Sequence, residues 1–541
     1  MASSINDTSL SITTSLQQRH RHTPQPTPPP HVLLVPFPSQ GHTIPFFNFA
    51  KLLASKGVAV TYVCVQHRIS SLQRDHAAAG LNLLIRLVGL PERVPVGQLG
   101  IDEGTGSLSR SMEVAANMED DFVQLVHELR RAVGAGAGSE ESLGAPISII
   151  YDPFLWWMHD VAVSLKIEYY SFFTSPASLL SIMLHLPILI SQGYVPLRMS
   201  AEPRLITLPG LAPAWDRELL YLFSDSVTET SVQRLTHAAI KLSETAPTVL
   251  INTCYELEAN TIDVLQKYKR IPQTKIDVQA LGPVLPLELL NDNNVDDLYL
   301  QEDNRKEERE CLRWLSSRSP DSVLYVSFGS IFIPSLESIL ELALGLEASS
   351  HAFLWVLRPP PGVASRDQSF SLSALLPEGF ESRTKGRGFV ISPWAPQLSI
   401  LSHPSTGGFL THCGWNSTIE SIFMGVPLIA YPQFAEQKAN CRMIVDQWKA
   451  GIQLQNDENE RLRKEEVEKI IKILMEGEEG KQMKKNVRQV RDMARSSWKE
   501  GGSSYTNLQA LVQKLFKLSA DLSPEAVSHT NLEISLAAAP R

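Results

Sequence analysis

Between Gly408 and Tyr431 the chain spells strand, glycine turn, helix, stop and strand in one short run, an order that leaves few folds open. Gly408 to Thr411 is an apolar run suited to a buried strand, and His412 to Asn416 form the turn leaving it. Ser417, Thr418, Ile419 and Glu420 have the spacing of a capping box, which predicts a helix that Gly425 and Pro427 stop; Val426 to Tyr431 then reads as the next buried strand. Such a unit points unpaired N–H groups and the positive end of a helix dipole at one spot, a plausible cradle for a diphosphate. By itself the plan is shared by many α/β units.

The rest of the chain repeats it. His31 to Phe37 reads as a first strand, Ile44 to Lys56 as a helix, Val58 to Val65 as a second strand, and Ile147 to Tyr151 as another ahead of Asp152. Ser178 to Leu189 is predicted to be one helix under a cleft. A polar segment from Glu288 to Glu310 has the charge of an exposed linker. Beyond it, Val323 to Ser327 and Phe353 to Leu357 read as strands. Ser335 to Ala348, Lys464 to Met475, Lys481 to Ser496 and Ser504 to Leu518 read as helices. Apolar runs alternating with helical patterns are the habit of parallel sheets wound by crossover helices, an α/β fold.

With 541 residues, 43% of them hydrophobic, the chain can build two domains with full cores. A net charge of −9 and the lack of a basic block argue against nucleic acid or an anionic membrane as partner. The longest apolar stretch, Leu179 to Ile190, contains His185 and Pro187 and falls short of the roughly 20 residues that span a bilayer. The first 30 residues, rich in Ser, Thr, Gln, His and Pro, lack the apolar core of a secretory signal and are expected to be a disordered tail. Five dispersed cysteines (Cys64, Cys254, Cys311, Cys413 and Cys441) fit reduced thiols in the cytoplasm and show no metal-ligand spacing.

Residues around the 408–431 unit sharpen the cradle. Trp394 lies between Pro393 and Pro396, outside any periodic pattern, so its indole is expected to face a cleft; stacking a base on such a ring is worth roughly 1–3 kcal/mol. Glu436 and Gln437 follow Pro432 in a loop and offer a charged acceptor and an amide, which vicinal sugar hydroxyls require. Together they imply a sugar nucleotide. The whole stretch Trp394 to Gln437 resembles the donor-binding box of plant UDP-dependent glycosyltransferases of secondary metabolism (family 1). The resemblance extends to LVPFPSQGHTIPF (34–46), SIIYDPF (148–154), SFFTS (171–175) and VLYVSFGS (323–330).

For catalysis the chain offers His42, just past the first strand and beside Gly41, where ligands of parallel sheets gather. Asp152 also follows a strand, and a carboxylate on the far ring nitrogen would fix the tautomer and stabilise the imidazolium. The resemblance implies that His42 removes the acceptor proton, supported by Asp152, and that attack on the anomeric carbon inverts it. It further implies two Rossmann-like lobes (GT-B architecture) with the active cleft between them. The expected division is an acceptor-binding domain over 31–286, a linker over 287–310, a UDP-sugar-binding domain over 311–495, a helix over 496–518 packing back on the first domain, and a flexible tail over 519–541.

Site roles come from the same match. Thr174 and Ser330 correspond to contacts with the donor sugar and phosphates, and Trp394 to the uracil platform with the Ala395 backbone and Gln397 beside it. His412, Asn416 and Ser417 correspond to phosphate contacts, Glu420 to the ribose ligand, and Trp415, Glu436 and Gln437 to the sugar pocket. The box more often carries Asp where this chain has Glu436. Gln437 is associated with glucose, so the donor is expected to be UDP-glucose and the protein a monomer acting on a small molecule. No metal is expected: no two aspartates are separated by one residue, and the helix start with His412 would offset the phosphate charge.

Read singly, the same residues allow structural roles: His42 as a turn residue, Asp152 as a cap, Ser417 and Glu420 as a capping box, Trp394 and Trp415 as core aromatics. His403 and His412 fit no helical ligand face. An epimerase or hydrolase acting on the sugar nucleotide, or a non-catalytic sugar-nucleotide binder, are the rival functions. Phe154 to Trp157, Ser171 to Leu184 and Leu219 to Phe223 suit a flat lipophilic acceptor, a flavonoid or other phenol, whereas 90–145 gives no handle on specificity.

Overall fold

Two parallel sheets, one of seven strands and one of six, carry the fold in the computed structural model. It describes residues 29–522 apart from 79–83, 94–105, 135–142, 246–247, 269–275, 291–305, 331, 360–371 and 393. The expected terminal tails, but for a few residues, and 135–142 therefore lie outside the described residues.

The first sheet contains β1 (His31–Val35), β2 (Ala59–Val65), β3 (Ile85–Leu90), β4 (Ser148–Tyr151), β5 (Glu168–Phe173), β6 (Thr248–Ile251) and β7 (Asp277–Ala280), in the order β3-β2-β1-β4-β5-β6-β7. The second contains β8 (Val323–Ser327), β9 (Ala352–Val356), β10 (Gly388–Ile391), β11 (Thr406–Thr411), β12 (Leu428–Ala430) and β13 (Gly451–Gln453), in the order β10-β9-β8-β11-β12-β13. Each sheet thus winds outward in both directions from its first strand, the dinucleotide-binding order of two Rossmann-like lobes. Helices cover both faces, so the central strands HVLLV, AVTYVCV and VLYVS are buried throughout and read as unbroken apolar runs rather than alternating ones.

Several elements differ from expectation. The first helix, Gln40–Ser55, starts before Ile44, so His42 sits in its first turn. The helix expected over Ser178 to Leu189 is two, Ala177–Leu184 and Leu186–Ser191, because Pro187 lacks the N–H that would continue one ladder through His185. Both ends of the expected linker are helical: Leu287–Leu290 is a helical turn with Leu287 and Leu289 buried, and the helix Lys306–Ser316, in which Cys311, Leu312 and Leu315 are buried, starts within the expected range. The capping box is not formed. The helix begins at Trp415, with Gly414 as its N-cap and no side chain capping it.

The lobes are joined near the end of the chain. In the last helix, Ser503–Asp521, Leu508, Leu511, Val512 and Leu515 share a core with Phe46, Leu53 and Tyr62 of the first lobe. The Trp498 indole N–H donates to the Pro283 carbonyl at 2.9 Å.

Candidate functional site

In each sheet the order reverses beside the first strand, and the strand ends there open a crevice. In the first lobe the first helical turn after β1 and the turn after β4 carry His42 and Asp152; in the second, the turns after β8 and β11 carry Ser330 and His412. These four turns bound one cavity of about 660 Å³ between the lobes. Thr174, Trp394, Ala395, Gln397, Trp415, Asn416, Ser417, Glu420, Glu436 and Gln437 line it as well. Of the catalytic and donor-site residues expected from the sequence only Asp152 does not, because it is buried behind His42.

The Asp152 carboxylate is 1% exposed and both oxygens are bonded: Oδ2 lies 2.6 Å from His42 Nδ1, and Oδ1 accepts the Phe154 N–H at 3.0 Å. A buried carboxylate persists only when paired in this way. Its bond assigns the proton to Nδ1 and leaves Nε2 as the basic nitrogen. The edges of Phe37 and Phe154 flank the imidazole, at ring-centre distances of 5.2 and 5.4 Å. Thr174 Oγ1 stands 3.0 Å from the same Nδ1, so this hydroxyl touches the histidine as well as the cavity.

On the opposite wall Trp394 is 43% exposed, unlike a core tryptophan. The start of helix Trp415–Met424 has no side-chain cap to take its first N–H groups, and Gly414, Trp415, Asn416 and Ser417 at that start line the cavity. Ser417 and Glu420, released from capping, bind Gln397 instead: its amide Nε2 donates to Glu420 Oε2 at 2.6 Å and Ser417 Oγ at 3.1 Å, while its Oε1 accepts from the Tyr325 hydroxyl at 3.3 Å. Burial pushes the Glu420 carboxyl up to about 7, against the opposing Gln397 bond. Burial likewise raises Glu436, with the charge His42 can carry pulling the other way.

His412 fits between Gly329, at φ +72°, and Gly414; a Cβ on either would stand 2.5 Å from its ring. Burial first, and then the Arg358 charge, lower its pKa to about 4. At pH 7 His412 is therefore a neutral hydrogen-bonding group.

Two bonds from the same helix start cross the cleft. The Trp415 indole N–H donates to the Asn252 carbonyl at 2.8 Å, and Asn416 Nδ2 donates to the Gly41 carbonyl at 2.9 Å. Trp415, 3% exposed, thus joins the lobes as well as bordering the cavity. Gln437 Oε1 accepts the backbone N–H groups of Gln433 and Phe434, and the buried side chain lines the cavity.

Some lining residues escaped the sequence reading. Helix Gly106–Ala116 contributes Leu108, Ser111 and Met112 from the stretch judged silent on specificity; the i, i+4 spacing of Leu108 and Met112 was the available signal. Leu235 and Arg358 also line the cavity. Glu258, buried, accepts the Ala177 and Ser178 N–H groups at 2.9 and 3.0 Å and so holds the turn after Thr174. Conversely Trp157 turns away, its indole donating to Ala115 O at 2.9 Å. Among the described residues no group of three or more His, Cys, Asp or Glu could hold a metal, and no helix is long and apolar enough to cross a membrane.

The family model "UDP-glucoronosyl and UDP-glucosyl transferase" matches residues 146–495. UDP-glycosyltransferase 72B1 of Arabidopsis thaliana is 36% identical over 90% of this chain and 96% of its own length. Hydroquinone glucosyltransferase of Rauvolfia serpentina is 34% identical over 90% and 97%. Among solved structures, a UDP-glucosyltransferase from Polygonum tinctorium capable of glucosylating indoxyl, in complex with 3,4-dichloroaniline, superposes with a TM-score of 0.74 at 32% identity, covering 90% of this chain and 99% of that one. Paired Rossmann-like lobes and these matches define a GT-B glycosyltransferase. The chain belongs to the family 1 UDP-glycosyltransferases of plants, and it is a transferase.

Proposed function

We propose that this enzyme moves glucose from UDP-glucose to a hydroxyl of a small lipophilic acceptor, a flavonoid or simpler phenol, inverting the anomeric carbon. What carries the proposal is the 2.6 Å contact of His42 Nδ1 with Asp152 Oδ2, set in the same cavity as Trp394. With Nδ1 protonated, His42 Nε2 takes the acceptor proton as the acceptor oxygen bonds to the anomeric carbon. The bond from that carbon to the diphosphate breaks, and its electron pair leaves with UDP. Asp152 steadies the imidazolium, and general-base help of this kind is worth about 10² to 10⁴-fold.

In this reading Trp394 stacks the uracil, with the Ala395 backbone and Gln397 beside it, and Glu420 binds the ribose. Ser330, His412, Asn416, Ser417 and the open helix start receive the phosphates. Thr174, Trp415, Glu436 and the NH₂ group of Gln437 serve the sugar. Glucose is favoured by Gln437 and by the glucosyltransferases among the relatives. A phenol is favoured by the apolar wall of Leu108, Met112, Phe154, Leu179, Leu222 and Leu235, and by the relative named for hydroquinone. No metal enters the mechanism. The enzyme is read as a cytoplasmic monomer, its five buried free thiols suiting a reducing compartment.

The test is one assay: purified protein, EDTA, UDP-glucose and competing UDP-sugars, and a panel of phenols, read by mass shift. Glucoside should form in the wild type, while His42→Ala should lose transfer at least about 10²-fold yet keep UDP affinity. An unchanged rate in His42→Ala would overturn the mechanism. UDP-glucose consumed equally without acceptor would replace transfer by hydrolysis.

A further inference from the structure

We propose that Arg358 grips the donor's diphosphate and stabilises the charge that leaves with UDP; this rests on the UDP-sugar reading above. Arg358 follows β9, next to the β8 strand whose end carries Ser330, and it lines the cavity with His412 and Gly414. It is the sole Lys or Arg among the described residues lining that cavity.

Its guanidinium is aimed but not neutralised. One Nη donates to the Ser330 carbonyl and the other to the Phe332 carbonyl, both at 2.6 Å. Among the described residues no carboxylate lies within salt-bridge distance of it. Two carbonyls fix the plane of the fork and leave other N–H donors unspent, the geometry that suits a phosphate. Desolvation works against the cation, lowering its pKa, so an arriving anion relieves a strain that the free protein carries. The neighbouring groups leave this task undone. His412 is neutral near pH 7, partly because of Arg358 itself, and the helix start supplies only about half a unit charge. Because charge on the diphosphate grows as the anomeric bond breaks, a fixed guanidinium binds the departing group more tightly than the intact donor.

Calorimetric affinities for uridine and UDP, measured on Arg358→Gln and Arg358→Lys, decide the point. Arg358→Gln should weaken UDP roughly 10- to 100-fold and leave uridine within about twofold, with a shallower salt dependence for UDP. Arg358→Lys should recover part of the UDP affinity. Equal loss for uridine and UDP would mean that the arginine merely braces the backbone at Ser330 and at Phe332, and unchanged UDP binding would also overturn the assignment. Should the Gln variant not fold, the Lys variant decides: a selective UDP loss smaller than tenfold supports the assignment, and parallel losses overturn it. Failure of wild-type protein to bind UDP would sink the underlying functional reading instead.

Discussion

Glu420 shows how a single residue changes meaning between sequence and fold. Its spacing from Ser417 fits a capping box, yet the helix starts at Trp415, and the carboxylate instead takes the Gln397 amide at 2.6 Å. Burial lifts its pKa to about 7, so in the free protein it is neutral below that pH and ionised above it. A ribose hydroxyl donates best to the ionised form. Lowering the pH from 8 to 6 should therefore weaken uridine binding, approaching tenfold per unit once below the pKa. Glu420→Gln should bind uridine more weakly at pH 8 and show a flatter profile. Titration calorimetry at a series of pH values checks this, and a flat wild-type profile would rule it out. Other residues were legible because they follow strand ends: His42 and Asp152 abut apolar runs, and parallel sheets gather such ends. Arg358 also follows a strand, but an arginine past an apolar run looks like any solvated terminus, and its two carbonyl partners come from a different loop.

At the scale of elements, the first helix and the helix after β11 are tied by a proline. Pro45 sits inside helix Gln40–Ser55 and has no N–H to give the carbonyl four residues earlier, that of Gly41; its ring also crowds that carbonyl outward. The Gly41 carbonyl accepts Asn416 Nδ2 from the other lobe at 2.9 Å, one residue from His42. We expect Asn416→Ala to lower kcat/KM by roughly 5- to 10-fold, the worth of one such bond. Pro45→Ala restores a competing helix bond and should lower kcat/KM less. The double variant should match Asn416→Ala alone, because both changes act through one link. Steady-state kinetics on the three variants checks this, and simple additivity would disprove the coupling. None of this is visible in a linear reading, which began the helix at Ile44 and so placed His42 and Gly41 in a loop. The strand positions were legible because both sheet faces are covered and the runs are unbroken; helix starts were not, because Gly414 caps by backbone shape alone and leaves no side-chain mark.

For the molecule as a whole, the reversal point of each sheet is what sets two functional walls face to face, and that follows from strand order, which periodicity does not encode. Apolar runs with crossover helices pointed to parallel sheets; the pairing of lobes came only with the resemblance. The same architecture holds down the pKa of histidines in both lobes, His31 in the first and His403 and His412 in the second, burial being the first cause in each. His31, 2% exposed, sits with Nδ1 2.8 Å from the Gly144 carbonyl and Nε2 2.8 Å from Thr61 Oγ1, fastening the start of β1 to β2. Burial lowers its pKa to about 4, as it does for His412. Both folded values lie below the unfolded value near 6.5, so between about pH 6.5 and 4 the unfolded chain binds more protons than the folded one. Stability from this source is complete above about 6.5 and falls as the pH drops towards 4, by up to about 1.4 kcal/mol per unit for each histidine. Urea unfolding of the apo protein at pH 7.5, 6 and 5 should show the loss. Because a bound diphosphate offers His412 a counter-charge while His31 lies in the other lobe, UDP should reduce only part of the slope. His31→Gln should be less stable at pH 7.5, having lost at least one of the two bonds, yet lose less further stability on acidification than the wild type. Equal slopes for wild type and variant would show that His31 takes up no proton on unfolding and that the acid sensitivity arises elsewhere.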